Sequence, residues 1–332
     1  MKRYLDILDS FAGLRVGVVG DYLLDQYILG TTARVSREAP IVVVDYLDTV
    51  YHPGGAANAA QNVTALAGSA LATGVLGADR EGEVLADLLN LRGVECAGLL
   101  RLDTAATSTK MRILAGEMNA QKQQVARVDR SHGLTLAPGE RERLRRAIAD
   151  IVARCGAMLL ADYGLGVLDA DTAAFVVKAC ADADVPVVVD SRHRLPAFRG
   201  ATVATPNEVE AIEALALADE RTLTDPGALR AAVAATGIAN MIVTRGSKGM
   251  VVCTRDGAVE PIGPAADTAA TDVTGAGDTV SAVVALSLAA GATVAEAARM
   301  ASFAASVVVM KRGTATASQD EVRDMINASG DR

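Results

Sequence analysis

The sequence predicts an α/β protein whose mainly parallel central sheet lies between two layers of helices. Short apolar, β-branched runs alternate with helical segments over most of the 332 residues, and several runs end at an acidic, amide or hydroxyl residue. Such alternation is typical of a parallel sheet covered on both faces. Ligands of these sheets bind beyond the carboxyl ends of the strands, so the polar residues there predict where the functional site lies.

Five apolar runs are predicted as buried strands of this sheet, at residues 15–20, 158–161, 185–190, 201–205 and 241–244. The polar residues that end or follow them are Asp21, Asp162, Asp190, Asn207 and Thr244. Helices are predicted at residues 140–154, 171–183 and 226–236. Asp225 and Pro226 favour the start of the last helix, as N-cap and first-turn proline, and Gly156 is expected to end the first.

Two segments depart from this alternation, at about residues 26–48 and 107–129. Their polar and apolar residues vary without a helical period, which favours strands outside the main sheet. Together they predict a small β-sheet lid over one end of the core. Because no linker, fixed repeat or low-complexity tract interrupts the chain, residues 1–332 are expected to form a single domain.

The composition excludes several classes of function. The net charge of −8 argues against a nucleic-acid binder or a basic membrane-surface protein. Four scattered cysteines and three histidines offer no zinc-ligand spacing and suggest a reducing compartment. The N-terminus has no apolar signal segment, and the apolar residues 279–295 are predicted as two buried helices, not a membrane span. A cytoplasmic protein is expected.

The segment from Asp272 to Asp278, with the sequence DVTGAGD, carries the strongest chemical signal. Small residues before a helix let backbone N–H groups converge on an anion, helped by the positive end of the helix. An aspartate in the first turn suits a general base beside a bound phosphoryl group. The structural alternative is a tight loop in which Asp278 is only the N-cap.

A nucleotide would have to be bound by other residues, because the sequence has neither a GxxxxGK[ST] loop nor a GxGxxG fingerprint. Asn207 and Glu210 open a predicted helix and share one face, where they could orient magnesium-bound water. The alternative for this pair is a capping box. A glycine-rich turn at residues 244–249 is the second candidate nucleotide-binding segment, although Arg245 and Lys248 could simply be solvated turn residues.

A second glycine-rich helix start, GGAAN at residues 54–58, suits sugar hydroxyls through Asn58. Asp21 and Asp25 flank the end of the first strand and could accept hydrogen bonds from vicinal hydroxyls, or could cap a turn. The histidines His52, His132 and His193 have no partners at a catalytic spacing and are not expected to be catalytic.

Four segments in this order and spacing, GGAANAA, TPNEVE, VTRGSKG and DVTGAGD, resemble the ribokinase (PfkB) family of carbohydrate kinases. The resemblance covers residues 16 to about 318. Stretches such as VGDYLLDQYILGTTARVSREAPIVVV, TSTKMRIL and LLADYGLGVL are similar to one branch, the heptose-phosphate kinases. The resemblance implies a three-layer α/β/α core with a β-sheet lid that often forms a dimer interface, so a homodimer through the lid is expected.

The resemblance also implies a role for each candidate residue. Asp278 would be the base that deprotonates the acceptor hydroxyl, with Gly275, Ala276 and Gly277 as the anion hole. ATP and Mg²⁺ would be bound by Asn207, Glu210, Thr244, Arg245, Gly246 and Gly249. The sugar would be held by Asp21, Asp25, Gly54, Gly55 and Asn58. A monovalent cation such as K⁺ would lie by Asp272, Thr274, the carbonyls around Gly313 and the Ser318 hydroxyl.

Two features depart from the heptose-phosphate branch. In that branch, the strand that corresponds to residues 185–190 usually continues Asp-Pro-Lys. This chain has Asp190-Ser191-Arg192 instead, so a lysine near the phosphates is missing. Arg192 or Arg194 could replace it, with a planar fork instead of a point charge. No nucleotidyltransferase sequence follows the kinase segment, so any adenylyl transfer is expected to reside elsewhere.

The sequence therefore predicts ATP-dependent phosphorylation of a sugar or sugar-phosphate hydroxyl. The preferred acceptor is D-glycero-D-manno-heptose 7-phosphate, which would give the 1,7-bisphosphate. A kinase of the same fold for a fructose-like sugar or a nucleoside is the first alternative. The second is a non-catalytic sugar- or nucleotide-binding protein, against which the intact Asp278 argues, and a nicotinamide-dependent dehydrogenase lacks its fingerprint.

Overall fold

The computed structural model describes residues 1–116, 122–266 and 271–330. In chain order, its helices and strands are α1 (Lys2–Asp9), β1 (Arg15–Gly20), β2 (Tyr22–Val35), β3 (Val42–Gly55), α2 (Ala56–Ala65), β4 (Ser69–Gly77), α3 (Arg80–Leu91), β5 (Glu95–Leu102), β6 (Ser108–Gly116), β7 (Gln123–Arg130), α4 (Pro138–Val152), β8 (Ala157–Asp162), α5 (Ala170–Asp182), β9 (Val187–Ser191), β10 (Val203–Ala204), α6 (Glu208–Ala214), α7 (Pro226–Thr236), β11 (Asn240–Thr244), β12 (Met250–Cys253), β13 (Val259–Ile262), α8 (Ala276–Ala289), α9 (Val294–Val308) and α10 (Gln319–Gly330).

The central sheet has nine strands in the order β13-β12-β11-β10-β9-β8-β1-β4-β5. At one edge, β12 pairs antiparallel with both β11 and β13, and the other pairings are parallel. The β-branched runs form strands because both faces of the sheet are covered. Val18 faces one hydrophobic core, which contains α8 and α9, whereas the next residue, Val19, faces a second core that contains α4 and α5. The predicted three-layer α/β fold is confirmed.

A second sheet of four strands has the order β3-β2-β6-β7. Its two outer pairings are antiparallel, and β2 pairs parallel with β6. Strand β2 leaves the core directly after β1, and β3 returns to the start of α2. The lid segments predicted at about 26–48 and 107–129 fall on these strands, except that residues 117–121 lie outside the described part of the chain. The second sheet is called the lid below.

Three local predictions differ from the structure or are sharpened by it. Helix α4 ends at Val152 with Ala153 in a right-handed conformation, so Gly156 does not cap it; instead the Gly156 N–H donates to the Arg15 carbonyl. The strand predicted at 201–205 is reduced to Val203–Ala204. The apolar segment at 279–295 is divided between α8 and α9, and none of the described helices is long and apolar enough to cross a membrane.

Candidate active site

The aspartate predicted as the base lies in the first turn of α8 and is 6% exposed. The N-cap of this helix is Gly275, whose φ of +80° is a left-handed conformation that glycine adopts at little cost. Asp278 is therefore the third helical residue and not the N-cap, so the alternative of a plain capping aspartate is excluded. Its carboxylate is bonded by side chains from distant parts of the sequence.

Each carboxylate oxygen of Asp278 accepts one short hydrogen bond. Asn58 Nδ2 donates to Oδ2 at 2.6 Å, and the Tyr163 hydroxyl donates to Oδ1 at 2.6 Å. Burial raises the pKa of Asp278 to about 6, while these two bonds act in the opposite direction. A carboxyl with this pKa is ionised at neutral pH and can accept a proton from a hydroxyl.

The side chain of Asn58 is oriented by its neighbours in α2. Gln61 Nε2 donates to the Asn58 Oδ1 at 2.6 Å, and Asn62 Nδ2 also donates to it, at 3.3 Å. With its oxygen engaged in this way, Asn58 presents its Nδ2 to the base. Asn62 is itself fixed by the Thr279 hydroxyl, which donates to its Oδ1 at 2.8 Å. Helix α2 thereby holds the base in one orientation.

The loop before α8 is shaped to leave backbone N–H groups open. The N–H of Ala276 donates to the Val273 carbonyl at 3.2 Å, whereas those of Gly277 and Asp278 have no acceptor among the described residues. The predicted anion hole therefore shifts toward Gly277 and Asp278, and Ala276 contributes less to it. A Cβ on Gly275 would lie 2.7 Å from Asn58 Nδ2, so glycine is also required there by close contact.

A single large cavity of about 790 Å³ begins at this loop. It is lined by all six residues predicted to contact a nucleotide, Asn207, Glu210, Thr244, Arg245, Gly246 and Gly249, and by Gly275, Ala276, Gly277 and Asp278. Strands β9, β10 and β11 lead into it at their carboxyl ends, which is where ligands of open α/β sheets bind. The structure thus brings the base and the candidate nucleotide residues to one cavity.

Asn207 and Glu210 form the capping box that the sequence left open as an alternative. The Glu210 N–H donates to Asn207 Oδ1, and the Asn207 N–H donates to Glu210 Oε2, both at 2.9 Å. The remaining polar atoms, Asn207 Nδ2 and Glu210 Oε1, form no hydrogen bond within the described residues. The pair therefore has a structural role and still offers one donor and one acceptor to the cavity.

The turn after β11 is also held by bonds within the protein. Arg245 Nε donates to Glu208 Oε1 at 3.0 Å, and its side chain is only 14% exposed, so it is not a solvated turn residue. Lys248 pairs with Glu220 at 2.8 Å. Gly249 has a φ of +81°, and a Cβ there would lie 2.1 Å from the Ile262 carbonyl oxygen. Glycine is therefore required at this position by its contact with the end of β13.

The structure distinguishes the two arginines that could replace the missing lysine. Arg194 donates to Asp162 Oδ1 at 2.6 Å and to the Leu168 carbonyl at 2.8 Å, so it fastens β8 to the following loop. Arg192 lines the cavity, with its guanidinium carbon 4.6 Å from the centre of the Tyr163 ring. Burial, with the charges of Asp278 and Glu210, raises the pKa of Asp190 well above its ordinary value. This shift disfavours a negative charge on Asp190 where phosphates would bind.

The two acids predicted to hold a sugar have different surroundings. Asp21 accepts N–H bonds from Tyr163, Leu165 and Val167 at 2.8, 3.0 and 3.2 Å, so its carboxylate fixes the loop that carries Tyr163. It lines a separate cavity of about 260 Å³.

Asp25 lies on the lid and accepts a bond from Arg112 Nη1 at 2.7 Å. A Cβ on Gly54 would lie 2.8 Å from its Oδ2, so Gly54 and Asp25 are in contact. Gly55, with a φ of +58°, is the N-cap of α2 and begins the helix that carries Asn58. Asp25, Gly54, Gly55 and Asn58 are therefore grouped between the lid and the base.

The residues predicted for a monovalent cation are brought together only in part. Asp272 Oδ1 accepts the Thr274 N–H and Oδ2 accepts the Gly313 N–H, both at 2.9 Å. Although burial acts to raise it, the pKa of Asp272 lies below its ordinary value because of the hydrogen bonds from Thr274 and Gly313. The Gly313 carbonyl accepts the Ala315 N–H, and the Ser318 hydroxyl accepts the Glu321 N–H. No group of three His, Cys, Asp or Glu side chains in the described ranges could hold a metal ion.

Sequence reasoning missed two residues of the site. Tyr163 bonds the base, and Lys110 Nζ lies 4.9 Å from the centre of the Tyr163 ring. The available signals were weak: Tyr163 directly follows the acid that ends β8, and Lys110 belongs to a lid strand with regular alternation. No histidine takes part among the described contacts of Asp278: His52 packs edge-to-face against Tyr27, and His193 pairs with Glu213.

Comparisons with known proteins identify the family of this chain. The family model described as pfkB family carbohydrate kinase matches residues 26–321. "Bifunctional protein HldE" of Azorhizobium caulinodans is 38% identical over 312 residues, which cover 93% of this chain and 63% of that protein. The protein of the same name from Alcanivorax borkumensis is 38% identical over 329 residues, covering 97% and 66%. The chain thus spans about two thirds of the length of these curated relatives.

Solved structures show the same fold. Arabidopsis thaliana ribokinase, complexed with ribose and ATP, has a TM-score of 0.72 at 21% identity, covering 95% of this chain and 99% of its own. Escherichia coli phosphofructokinase-2 in complex with potassium has a TM-score of 0.72 at 20% identity, covering 96% and 99%. The predicted enzyme class is confirmed: this chain belongs to the pfkB family of carbohydrate kinases.

Proposed function

We propose that this protein transfers the γ-phosphoryl group of ATP to a hydroxyl of a sugar phosphate, with D-glycero-D-manno-heptose 7-phosphate as the preferred acceptor. The observation that carries the proposal is the environment of Asp278: a buried carboxylate with a pKa of about 6, next to open backbone N–H groups at the mouth of a large cavity. A binding protein would have no use for a base held by two side chains, which argues against the non-catalytic alternative.

The reaction follows from this arrangement. Asp278 accepts the proton of the acceptor hydroxyl as the oxygen forms a bond to the γ-phosphorus, and the bond from that phosphorus to the bridging oxygen breaks to release ADP. The N–H groups of Gly277 and Asp278, at the positive end of α8, stabilise the charge on the phosphoryl oxygens. Asn58 and Tyr163 keep the carboxylate pointing at the hydroxyl.

The remainder of the cavity suits ATP. Val209 and Val273, which are 71% and 65% exposed, offer apolar surface for the adenine ring of ATP. The open turn at Gly246–Lys248 offers backbone groups to its ribose and phosphates. Arg192 lies where it could contact a phosphate. ATP accompanies ribose in the complex of the plant ribokinase, which has the same fold.

Metal ions fit the donor groups near this cavity. Glu210 Oε1 could accept a hydrogen bond from the water shell of Mg²⁺, and Asn207 Nδ2 could donate one to a phosphate oxygen; the ion would neutralise phosphate charge. Asp272, with both oxygens already bonded to N–H groups, could add carboxylate oxygen to a K⁺ site with neighbouring carbonyls. Potassium is present in the complex of phosphofructokinase-2.

The acceptor is tested by comparing ADP release with a panel of heptose 7-phosphate, fructose, fructose 6-phosphate, ribose and nucleosides. We expect the highest kcat/KM with the heptose phosphate, and the product should be its 1,7-bisphosphate by phosphorus NMR. A higher kcat/KM with a neutral sugar or a nucleoside would replace the proposed acceptor, and sugar binding without ADP release would support the non-catalytic alternative.

We also propose that two copies of the chain pair through the outer surface of the lid. Large apolar side chains there are unusually exposed, namely Ile41, Val42, Tyr46, Leu47, Val125 and Val128. A surface of this kind commonly marks a protein–protein interface. Light scattering of the wild-type protein should give a molecular mass of two chains, and Tyr46→Glu should reduce this mass to that of one chain. A monomeric wild-type protein would contradict the pairing.

A further inference from the structure

The inner face of the lid carries more positive charge than its carboxylates neutralise. Arg112 pairs with Asp25 at 2.7 Å, and Arg127 pairs with Asp129 at 2.6 Å. Lys110 lies beside Asp25 across β2 and β6 and beside Asp129 across β6 and β7. Both acids nevertheless bond an arginine, and Lys110 forms no ion pair with any residue that the structure describes.

A second unpaired cation faces Lys110 from the core. Arg192 also forms no ion pair within the described ranges, and both cations contact the ring of Tyr163, Lys110 Nζ at 4.9 Å and Arg192 Cζ at 4.6 Å from its centre. Burial and the charge of Arg192 lower the pKa of Lys110 from its ordinary value. Bringing two like charges together at a partly buried site is unfavourable unless something of opposite charge joins them.

Tyr163 contacts both of these cations and also Asp278. Its hydroxyl bonds the base, and its ring holds the two cations by cation–π contact. An anion that contacted both cations would therefore lie beside the ring of Tyr163, whose hydroxyl bonds Asp278, and not on the carboxylate itself. This placement suits an acceptor whose anionic group is on a different part of the sugar from the reacting hydroxyl.

We propose that Lys110 and Arg192, held against Tyr163, bind a phosphate group on the acceptor sugar. The inference rests on the proposed function and assigns it the residues that select a phosphorylated acceptor over a neutral one. Phosphate oxygens accept strong hydrogen bonds from ammonium and guanidinium groups. ATP is a less suitable source of this anion, because Arg192 lines the nucleotide cavity whereas Lys110 lies outside it, on the lid.

The test measures binding of heptose 7-phosphate and of the unphosphorylated heptose by calorimetry, without ATP, and then KM values for both acceptors and for ATP. Lys110→Met should weaken binding of the sugar phosphate roughly 10- to 100-fold, as expected for loss of a hydrogen bond to a charged group. Binding of the neutral sugar and the KM for ATP should change less than about twofold. Arg192→Met should also weaken sugar-phosphate binding.

Two controls accompany these variants. Lys178→Met makes the same chemical change at another position: it removes an ammonium group that pairs with Asp182 on the exposed face of α5. This variant should change no binding constant. Lys110→Arg keeps the charge and should recover most of the lost affinity, which separates a charge effect from damage to the lid.

Each outcome decides one proposal. If Lys110→Met weakens ATP but not the sugar phosphate, or weakens neither, the acceptor-phosphate site is overturned. If the wild-type protein phosphorylates neutral sugars and binds no sugar phosphate, the site is likewise overturned while the kinase proposal stands. If sugar-phosphate binding depends on Lys110 but no ADP is released with any acceptor, the site is supported and the proposed reaction is overturned.

Discussion

The proposed nucleotide side and the proposed acceptor side of the cleft differ in how their polar side chains are satisfied. On the nucleotide side, Asn207 bonds Glu210 and Arg245 bonds Glu208, so these groups stabilise the protein in the absence of any ligand. On the acceptor side, Asp278 is buried with a raised pKa, and Lys110 and Arg192 form no ion pair among the described residues. The nucleotide side is therefore a stable scaffold, whereas the acceptor side holds its reactive groups at a cost in stability.

The largest test of this contrast is Asp278→Asn. Loss of the base should reduce kcat about 10²- to 10⁴-fold. The same change should stabilise the protein at pH 8. Folding raises the pKa of the Asp278 carboxyl to about 6, so the folded wild-type protein binds a proton there more readily than the unfolded chain. The stability of the wild-type protein therefore falls as pH rises from about 4 to 6, and the asparagine variant does not have this loss. The expected gain is about 2–3 kcal/mol.

Denaturant unfolding at pH 8 and pH 4 measures this effect. The two proteins should differ at pH 8 and approach each other at pH 4, where the carboxyl is protonated in the folded state and about half protonated in the unfolded state. A variant that is less stable than the wild type at pH 8, or that keeps more than about a tenth of its activity, would contradict the assignment of Asp278 as a base buried at a cost.

A smaller effect is expected from Tyr163→Phe. For the wild type, kcat/KM should fall below about pH 6, since Asp278 must be ionised to accept a proton. Removing the Tyr163 hydroxyl removes a bond that favours the ionised form, so the acidic limb of the pH profile should move to higher pH. A shift of one pH unit corresponds to about tenfold lower activity on that limb.

Tyr22→Phe is the matched control for this experiment. The Tyr22 hydroxyl is also buried and donates to the Val18 carbonyl at 2.9 Å, but it has no bond to Asp278. This variant should lose some stability and keep the acidic limb in place. An unchanged limb in Tyr163→Phe would mean that the hydroxyl does not act on the base.

The smallest expected effect is on the nucleotide side. Asn207→Ala removes the side chain that caps α6 and should destabilise the protein by about 1 kcal/mol. Asp225→Ala removes the equivalent cap of α7, which does not line the cavity, and should cost a similar amount. Only Asn207→Ala should raise the KM for ATP. Equal KM values in both variants would show that Asn207 serves the fold alone.

Sequence reasoning located those parts of the site that depend on local structure. The anion loop at 272–278 and the capping box at Asn207 are consecutive or three residues apart, so their pattern is visible in the chain. Their partners were not visible. Tyr163 and Asn58 reach Asp278 across 115 and 220 residues, and only the strand order of the sheet brings them together.

Asp21 shows why an acid at a strand end is an ambiguous signal. The sequence predicts that it holds the sugar, and this role stays a prediction; in the structure its carboxylate accepts three backbone N–H bonds from the loop at 163–167. That loop bends through Gly164 and Gly166, both with positive φ, and turns its N–H groups inward. Nothing at Asp21 itself indicates this bend, so the choice between ligand and loop anchor is made by a segment about 140 residues away.

The hydrogen bond between Asn58 and Asp278 has a consequence for synthesis on the ribosome. Gly54, Gly55 and Asn58, which are proposed to hold the acceptor, leave the ribosome early, whereas Asp278, the proposed base, is encoded 220 residues after Asn58 and also bonds Tyr163 from the middle of the chain. A partly synthesised chain therefore contains a cleft without its proton acceptor. Chains that end before α8 should therefore be unable to transfer a phosphoryl group by the proposed mechanism.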